Sequence, residues 1–126
     1  MKNSVILIVE DETIIALDIK LKLKQYGYAD VTTVASGEKA IEFCKKRPPH
    51  LILMDIKLSG NLDGIETSEK LLKYCRPSII FMSAFSDQSI LERANALNPT
   101  GYLTKAASDD QLISMVSSAL EQLNNK

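Results

Sequence analysis

Val5-Ile-Leu-Ile-Val-Glu-Asp-Glu12 and Leu51-Ile-Leu-Met-Asp55 are the stretches that decide the fold. Each is a short apolar run that does not alternate with polar residues and ends abruptly on acid. Unbroken runs of this length belong to strands buried on both faces of a parallel sheet. Ile79–Met82, ended by Ser83, is a third of the same kind. Working outward, Val31–Ala35 and Gly101–Thr104 add two more, so the expected strands are Ser4–Val9, Val31–Ala35, Leu51–Asp55, Ser78–Ser83 and Gly101–Thr104.

The segments between them have helical periodicity. From Thr13 to Tyr26, Ile14, Leu17 and Leu21 together with Ile15, Ile19 and Leu23 make one broad apolar face. Lys20, Lys22 and Lys24 are expected to face solvent, and Gly27 to stop the helix in a left-handed conformation. Ser36 is placed to cap a second helix to about Lys46, ended by Pro48 and Pro49. A third is expected over Ile65–Tyr74 and a fourth over Gln88–Leu97, before Asn98-Pro99. Ser108-Asp-Asp-Gln111 reads as a capping box opening a fifth, which runs to about Leu123. Strands alternating with helices predict an α/β fold with a parallel sheet and right-handed crossovers.

Composition is consistent with one domain over residues 1–126, and no linker or repeat divides it. The chain is 45% hydrophobic and 25% charged, an ordinary globular balance. Its formal net charge of −1 gives no electrostatic footprint for nucleic acid or an anionic membrane. No apolar run approaches the roughly 20 residues of a membrane helix, and no cleavable signal pattern is present, which predicts a cytoplasmic location. Cys44 and Cys75 have no metal-ligand spacing and read as helix packing residues in a reducing compartment.

Sheets of this class bind ligands at the carboxyl ends of their strands. The polar residues expected there are Glu10, Asp11, Glu12, Asp55, Ser83 and Lys105. Carboxylates crowded on one rim repel each other by roughly 3 kcal/mol per pair at ~5 Å and an effective dielectric near 20. A hard divalent cation relieves this, and a few carboxylates with water is a usual setting for Mg²⁺. The lack of His or Cys at this rim argues against zinc. Asp55 can then act as a nucleophile towards a phosphoryl donor, with Ser83 and Lys105 suited to the phosphoryl oxygens.

These residues carry a family resemblance. Val5–Glu12, Leu51–Asp55, Phe81-Met-Ser-Ala84 and Gly101-Tyr-Leu-Thr-Lys105 resemble, in order and spacing, the receiver domain of two-component response regulators, over nearly the whole chain. The resemblance implies a doubly wound five-stranded parallel sheet, the (βα)5 flavodoxin-like receiver fold. It implies Asp55 as phosphoryl acceptor and Mg²⁺ held by Asp11, by Glu10 mostly through water, by Asp55 and by the backbone carbonyl of Lys57. It further implies Ser83 as the switch hydroxyl, Lys105 as the phosphate-pairing lysine and Tyr102 as the aromatic that changes rotamer. The partners it implies are a sensor histidine kinase or phosphotransfer protein and a downstream protein target. A homodimer through the fourth helix, fifth strand and fifth helix is compatible with it. The chain is expected to be a signalling phosphoacceptor rather than a metabolic enzyme, with no output domain in these 126 residues.

Two departures stand out. Ala106 follows Lys105 where the family usually has Pro, so a trans bond is expected there. Leu58-Ser-Gly60 replaces the usual Met-Pro, and Asp63-Gly64 comes one residue later than usual.

Plainer readings exist for each residue taken singly. Glu10–Glu12 could be an acidic first helical turn, Ser83 a turn residue, Lys105 an exposed loop lysine, and Tyr102 a packed tyrosine. His50 reads as a solvated strand boundary. Their common register is what favours the switch. The competing functions are a Mg²⁺-dependent phosphohydrolase of the haloacid dehalogenase type and a phosphorylation-independent scaffold. The first needs a second acid two residues after the nucleophile, where Lys57 stands.

Overall fold

The computed structural model describes residues 2–83 and 88–124. Ala84, which closes the Phe81–Ala84 motif, lies outside the described residues. The elements run β1 (Ile6–Val9), α1 (Thr13–Gln25), β2 (Val31–Val34), α2 (Gly37–Lys46), β3 (Leu51–Asp55), α3 (Gly64–Leu71), β4 (Ser78–Ser83), α4 (Gln88–Asn95), β5 (Gly101–Thr104) and α5 (Asp109–Asn124). The five strands form one sheet in the order β2-β1-β3-β4-β5, every pair parallel.

The unbroken apolar runs are explained by where their side chains go. Ile6 and Ile8 of β1, with Leu51 and Leu53 of β3, meet Ala16 and Leu23 of α1 and Leu112, Val116 and Leu120 of α5 on one face. Leu7 and Val9, with Ile52 and Met54, meet Ala40 and Cys44 of α2, Ile65 and Leu71 of α3 and Ala94 of α4 on the other. Alternate residues thus serve opposite cores, and both must be apolar.

Several helix ends form as their residues dictate. The Ser36 side chain accepts from the N–H of Lys39 at 3.2 Å. Ser108 and Gln111 exchange side-chain-to-backbone bonds at 3.0 and 3.2 Å, a capping box. Asp63 and Glu66 make a second one at the start of α3. Gly27 has φ +97°, as a left-handed helix stop requires.

The differences from expectation are local. β1 starts at Ile6 rather than Ser4, where the N–H of Val5 instead donates to His50 Nδ1 at 2.9 Å. β2 ends at Val34, and α1 at Gln25. The last turns assigned to α3 and α4 are tightened into i→i−3 bonds, Tyr74 to Leu71 and Leu97 to Ala94, so those α-helices end at Leu71 and Asn95. Cys75 therefore stands just past α3 rather than on it, though both cysteines are buried. On α1 only part of the broad apolar face is covered. Ile14, Leu17 and Leu21 are exposed, at 84%, 51% and 57%. Lys22, expected in solvent, is instead partly covered and paired with Asp18 at 2.8 Å and with Asp109 of α5 at 2.9 Å.

Among the described residues, no helix is long and apolar enough to cross a membrane.

Candidate functional site

Strand register brings the acidic residues together. Val9 of β1 pairs with Met54 of β3, so Glu10 and Asp55 are the next step along neighbouring strands. Ser83 of β4 pairs with Thr104 of β5, and the N–H of Lys105 donates to the Ser83 carbonyl at 2.9 Å. Residues distant in sequence therefore share one rim of the sheet.

At that rim Glu10 and Asp55 are each only 1% exposed. The Lys105 ammonium lies between them, 2.7 Å from Glu10 Oε1 and 3.0 Å from Asp55 Oδ2. The Lys105–Ala106 bond is trans, since the described residues contain no cis peptide. Alanine after the lysine thus leaves Lys105 within reach of Asp55. Asp55 Oδ1 accepts from the N–H of Lys57 at 3.1 Å, and Glu10 Oε2 from the N–H of Glu12 at 3.1 Å. Glu10 Oε1 is buried and, although beside the ammonium, has no hydrogen bond of good geometry.

Burial pushes the Glu10 carboxyl up to about 7. Lys105 and the Glu12 N–H oppose that rise, and the Asp55 charge adds to it. Asp11 is held below the ordinary carboxylate range, chiefly by the Ser59 hydroxyl. For Lys105, burial disfavours the charge, but Glu10 and Asp55 more than offset it, and its pKa is raised.

Carboxylate oxygens of Glu10, Asp11 and Asp55 lie within 4.8 Å of one another. This is an all-oxygen, hard donor set with one buried oxygen lacking a good hydrogen bond. Such a set fits Mg²⁺ and does not fit soft or nitrogen-preferring metals.

Gly64 holds the loop after β3 in place. Its N–H donates to the Ile56 carbonyl at 2.8 Å, and an added Cβ would fall 2.1 Å from the Asp55 carbonyl oxygen. Only glycine allows α3 to start so close to Asp55. Tyr102 is half-buried on β5, its ring 6.2 Å from that of Phe81, and its hydroxyl donates to Asn95 Oδ1 of α4.

A family model described as "Response regulator receiver domain" matches residues 6–117. The chain belongs to the response regulator receiver family. It is a receiver domain of two-component signalling. It is 31% identical over 117 residues to the transcriptional regulatory protein PdtaR of Mycobacterium tuberculosis, covering 93% of this chain and 57% of that protein. It is 30% identical over 122 residues to YvrH of Bacillus subtilis, covering 97% of this chain and 51% of that one. The receiver domain thus spans about half the length of the curated relatives it matches. Among solved structures, the receiver domain of a modulated diguanylate cyclase from Desulfovibrio desulfuricans has a TM-score of 0.87 at 33% identity, covering 95% of each chain. The N-terminal domain of a response regulator/sensory box/GGDEF protein from Carboxydothermus hydrogenoformans has a TM-score of 0.88 at 33% identity, covering 95% of this chain and 96% of that one.

The geometry brings Glu10, Asp11, Asp55 and Lys105 together, sets Lys57 against Asp55 through its backbone, and leaves Tyr102 on the neighbouring face. Ser83 joins the group through its backbone bond to Lys105. Sequence reasoning missed Ser59, whose N–H and hydroxyl both bind Asp11, and the close approach of Gly64. The lengthened loop before Asp63-Gly64 was the available signal for both.

Proposed function

We propose that this receiver domain is a phosphorylation switch that accepts a phosphoryl group on Asp55 from a sensor histidine kinase or phosphotransfer protein. The observation that carries the reading is the buried Asp55 carboxylate, gripped by Lys105 and standing beside two further carboxylates. Glu10, Asp11 and Asp55, with the backbone carbonyl of Lys57, would hold Mg²⁺, which supplies charge neutralisation for an incoming phosphoryl group.

The chain's own residues do the rest. An Asp55 oxygen attacks phosphorus while the phosphorus–nitrogen bond of the donor phosphohistidine breaks, and the electron pair leaves with the imidazole. Lys105 pairs with the Asp55 carboxylate beforehand and with a phosphoryl oxygen afterwards. Ser83 is the hydroxyl that turns toward the phosphoryl group, and Tyr102 the aromatic that repositions with it. The resulting change is read on the face of α4, β5 and α5 by a downstream protein or a second copy. The exposed stripe of Ile14, Leu17 and Leu21 on α1 begins beside this rim, and apolar surface at such a place suits the donor protein. Hydrolysis by water returns the domain to its resting state slowly, so it acts as a signal carrier and not as a metabolic enzyme. Lys57 occupies the position where a phosphohydrolase of the haloacid dehalogenase type places its acid, which disfavours that reading.

The test is phosphoryl incorporation from acetyl phosphate with Mg²⁺, followed by site mapping. Wild type is expected to take up one group on Asp55, and Asp55→Asn none. Undiminished incorporation in Asp55→Asn refutes the reading.

A further inference from the structure

We propose that Ser59 is a positioning residue for the metal site, fixing the carboxylate of Asp11 from the loop after β3. The inference rests on reading Glu10, Asp11 and Asp55 as a Mg²⁺ site.

Asp11 Oδ2 accepts two bonds from this single residue, the Ser59 N–H at 2.9 Å and its hydroxyl at 2.6 Å. The hydroxyl distance is that of a charge-assisted O–H···O⁻ bond. The loop is shaped to deliver Ser59 to this place. Leu58 before it is buried, at 7% exposure, which anchors the chain. Gly60 after it has φ +99°, which turns the backbone sharply and is disfavoured for other residues. The additional residue before Asp63-Gly64 gives the loop the length to reach back to Asp11 without moving Gly64 from the Asp55 carbonyl.

A carboxylate has about four acceptor positions, so two bonds from Ser59 leave capacity for a metal. Asp11 held this way still offers an oxygen within 4.8 Å of oxygens from both Glu10 and Asp55. Asp11 is only partly buried, and without Ser59 its side chain gains rotamers that point into solvent. Groups that orient a ligand in this manner commonly change metal affinity about 10- to 100-fold. Here the backbone N–H survives substitution, so the lower end of that range applies.

The test is calorimetric titration of Mg²⁺ into the unphosphorylated protein for wild type, Ser59→Ala and Ser59→Thr, with metal-free thermal melts alongside. The expected result is that Ser59→Ala raises the Kd about 10-fold, and that Ser59→Thr, which retains the hydroxyl, stays close to wild type. The metal-free melting temperature should differ little between them. If wild type binds Mg²⁺ and Ser59→Ala binds equally well or more tightly, the role of Ser59 is overturned and the metal site stands. An equal loss in Ser59→Thr and Ser59→Ala also overturns it, because the hydroxyl is then irrelevant. If wild type binds no Mg²⁺, the site reading fails and this inference with it.

Discussion

Replacing Lys105 by Met removes the ammonium that separates two buried carboxylates while keeping most of the side-chain volume. Glu10 Oε1 and Asp55 Oδ2 then face each other without their shared cation. Carboxylate oxygens of these residues lie within 4.8 Å, where two like charges at an effective dielectric near 20 repel by about 3.5 kcal/mol. Breaking a buried pair by removing one partner costs a similar amount, about 3–5 kcal/mol. The loss has a definite pH dependence. The Glu10 pKa is already raised in the folded state, from 4.5 to about 7, so the folded state binds this proton more tightly than the unfolded chain. Its contribution is fully present below the unfolded value and is lost as pH rises through the folded one. In Lys105→Met the folded value rises further, because a compensating cation has gone. Urea unfolding without metal should therefore show Lys105→Met about 3 kcal/mol less stable than wild type near pH 8 and far less affected near pH 5. Millimolar Mg²⁺ should restore much of the deficit at the higher pH by replacing the missing charge. Equal stability of the two proteins near pH 8, or a deficit that does not change with pH, refutes the electrostatic account.

Two other predictions are local. Gly64→Ala places a Cβ 2.1 Å from the Asp55 carbonyl oxygen, so α3 must move away from β3. The expected cost is about 3 kcal/mol or more, with reduced phosphoryl uptake at Asp55; urea unfolding and acetyl phosphate labelling measure both. Lys57 is exposed two residues after Asp55, the proposed acceptor, where a cation would favour a phosphoryl dianion. Lys57→Ala should shorten the lifetime of the acyl phosphate severalfold, within the roughly 0.2–1 kcal/mol of an exposed pair. Decay of the labelled protein after donor removal gives the rate, and an unchanged rate removes Lys57 from the account.

The fold was legible because its strongest signals are burial signals. A run such as Leu51–Met54 fits only a strand covered on both faces, and its length excludes a typical helix. Periodicity predicts only the alternation of elements, whereas the order β2-β1-β3-β4-β5 rests on pairings between distant segments. The face of α1 differs from expectation for a physical reason. Helical periodicity reports which residues are apolar, not how much surface a neighbouring layer covers. α1 turns Ala16, Ile19 and Leu23 inward, while Ile14, Leu17 and Leu21 stay exposed. Lys22 departs from the expected solvent face because its partner Asp109 lies in a different helix, beyond the range of any local pattern. The same limit hid Ser59. Its partner is 48 residues away, and a serine in a polar loop has no periodicity to report.

Charge balance unites the site's parts. With all three carboxylates ionised and Lys105 protonated, the pocket carries a formal charge of two negative units, which one divalent cation would cancel. On the proposed reading, phosphorylation converts the Asp55 carboxylate into an acyl phosphate bearing further negative oxygens. One ammonium cannot sit at 2.7 Å from Glu10 and also serve the new group equally, so Lys105 is drawn from one to the other. Lys105 follows directly on β5, and its N–H is bonded to the Ser83 carbonyl at the end of β4. Three residues earlier on the same strand, Tyr102 is bonded to Asn95 of α4. A displacement of Lys105 therefore acts on the two strands that carry Ser83 and Tyr102, and through Tyr102 on α4. Because only contacts that differ between the two states can shift the equilibrium, on the proposed reading the switch would draw its driving force from the exchange of Lys105 between Glu10 and the phosphoryl group.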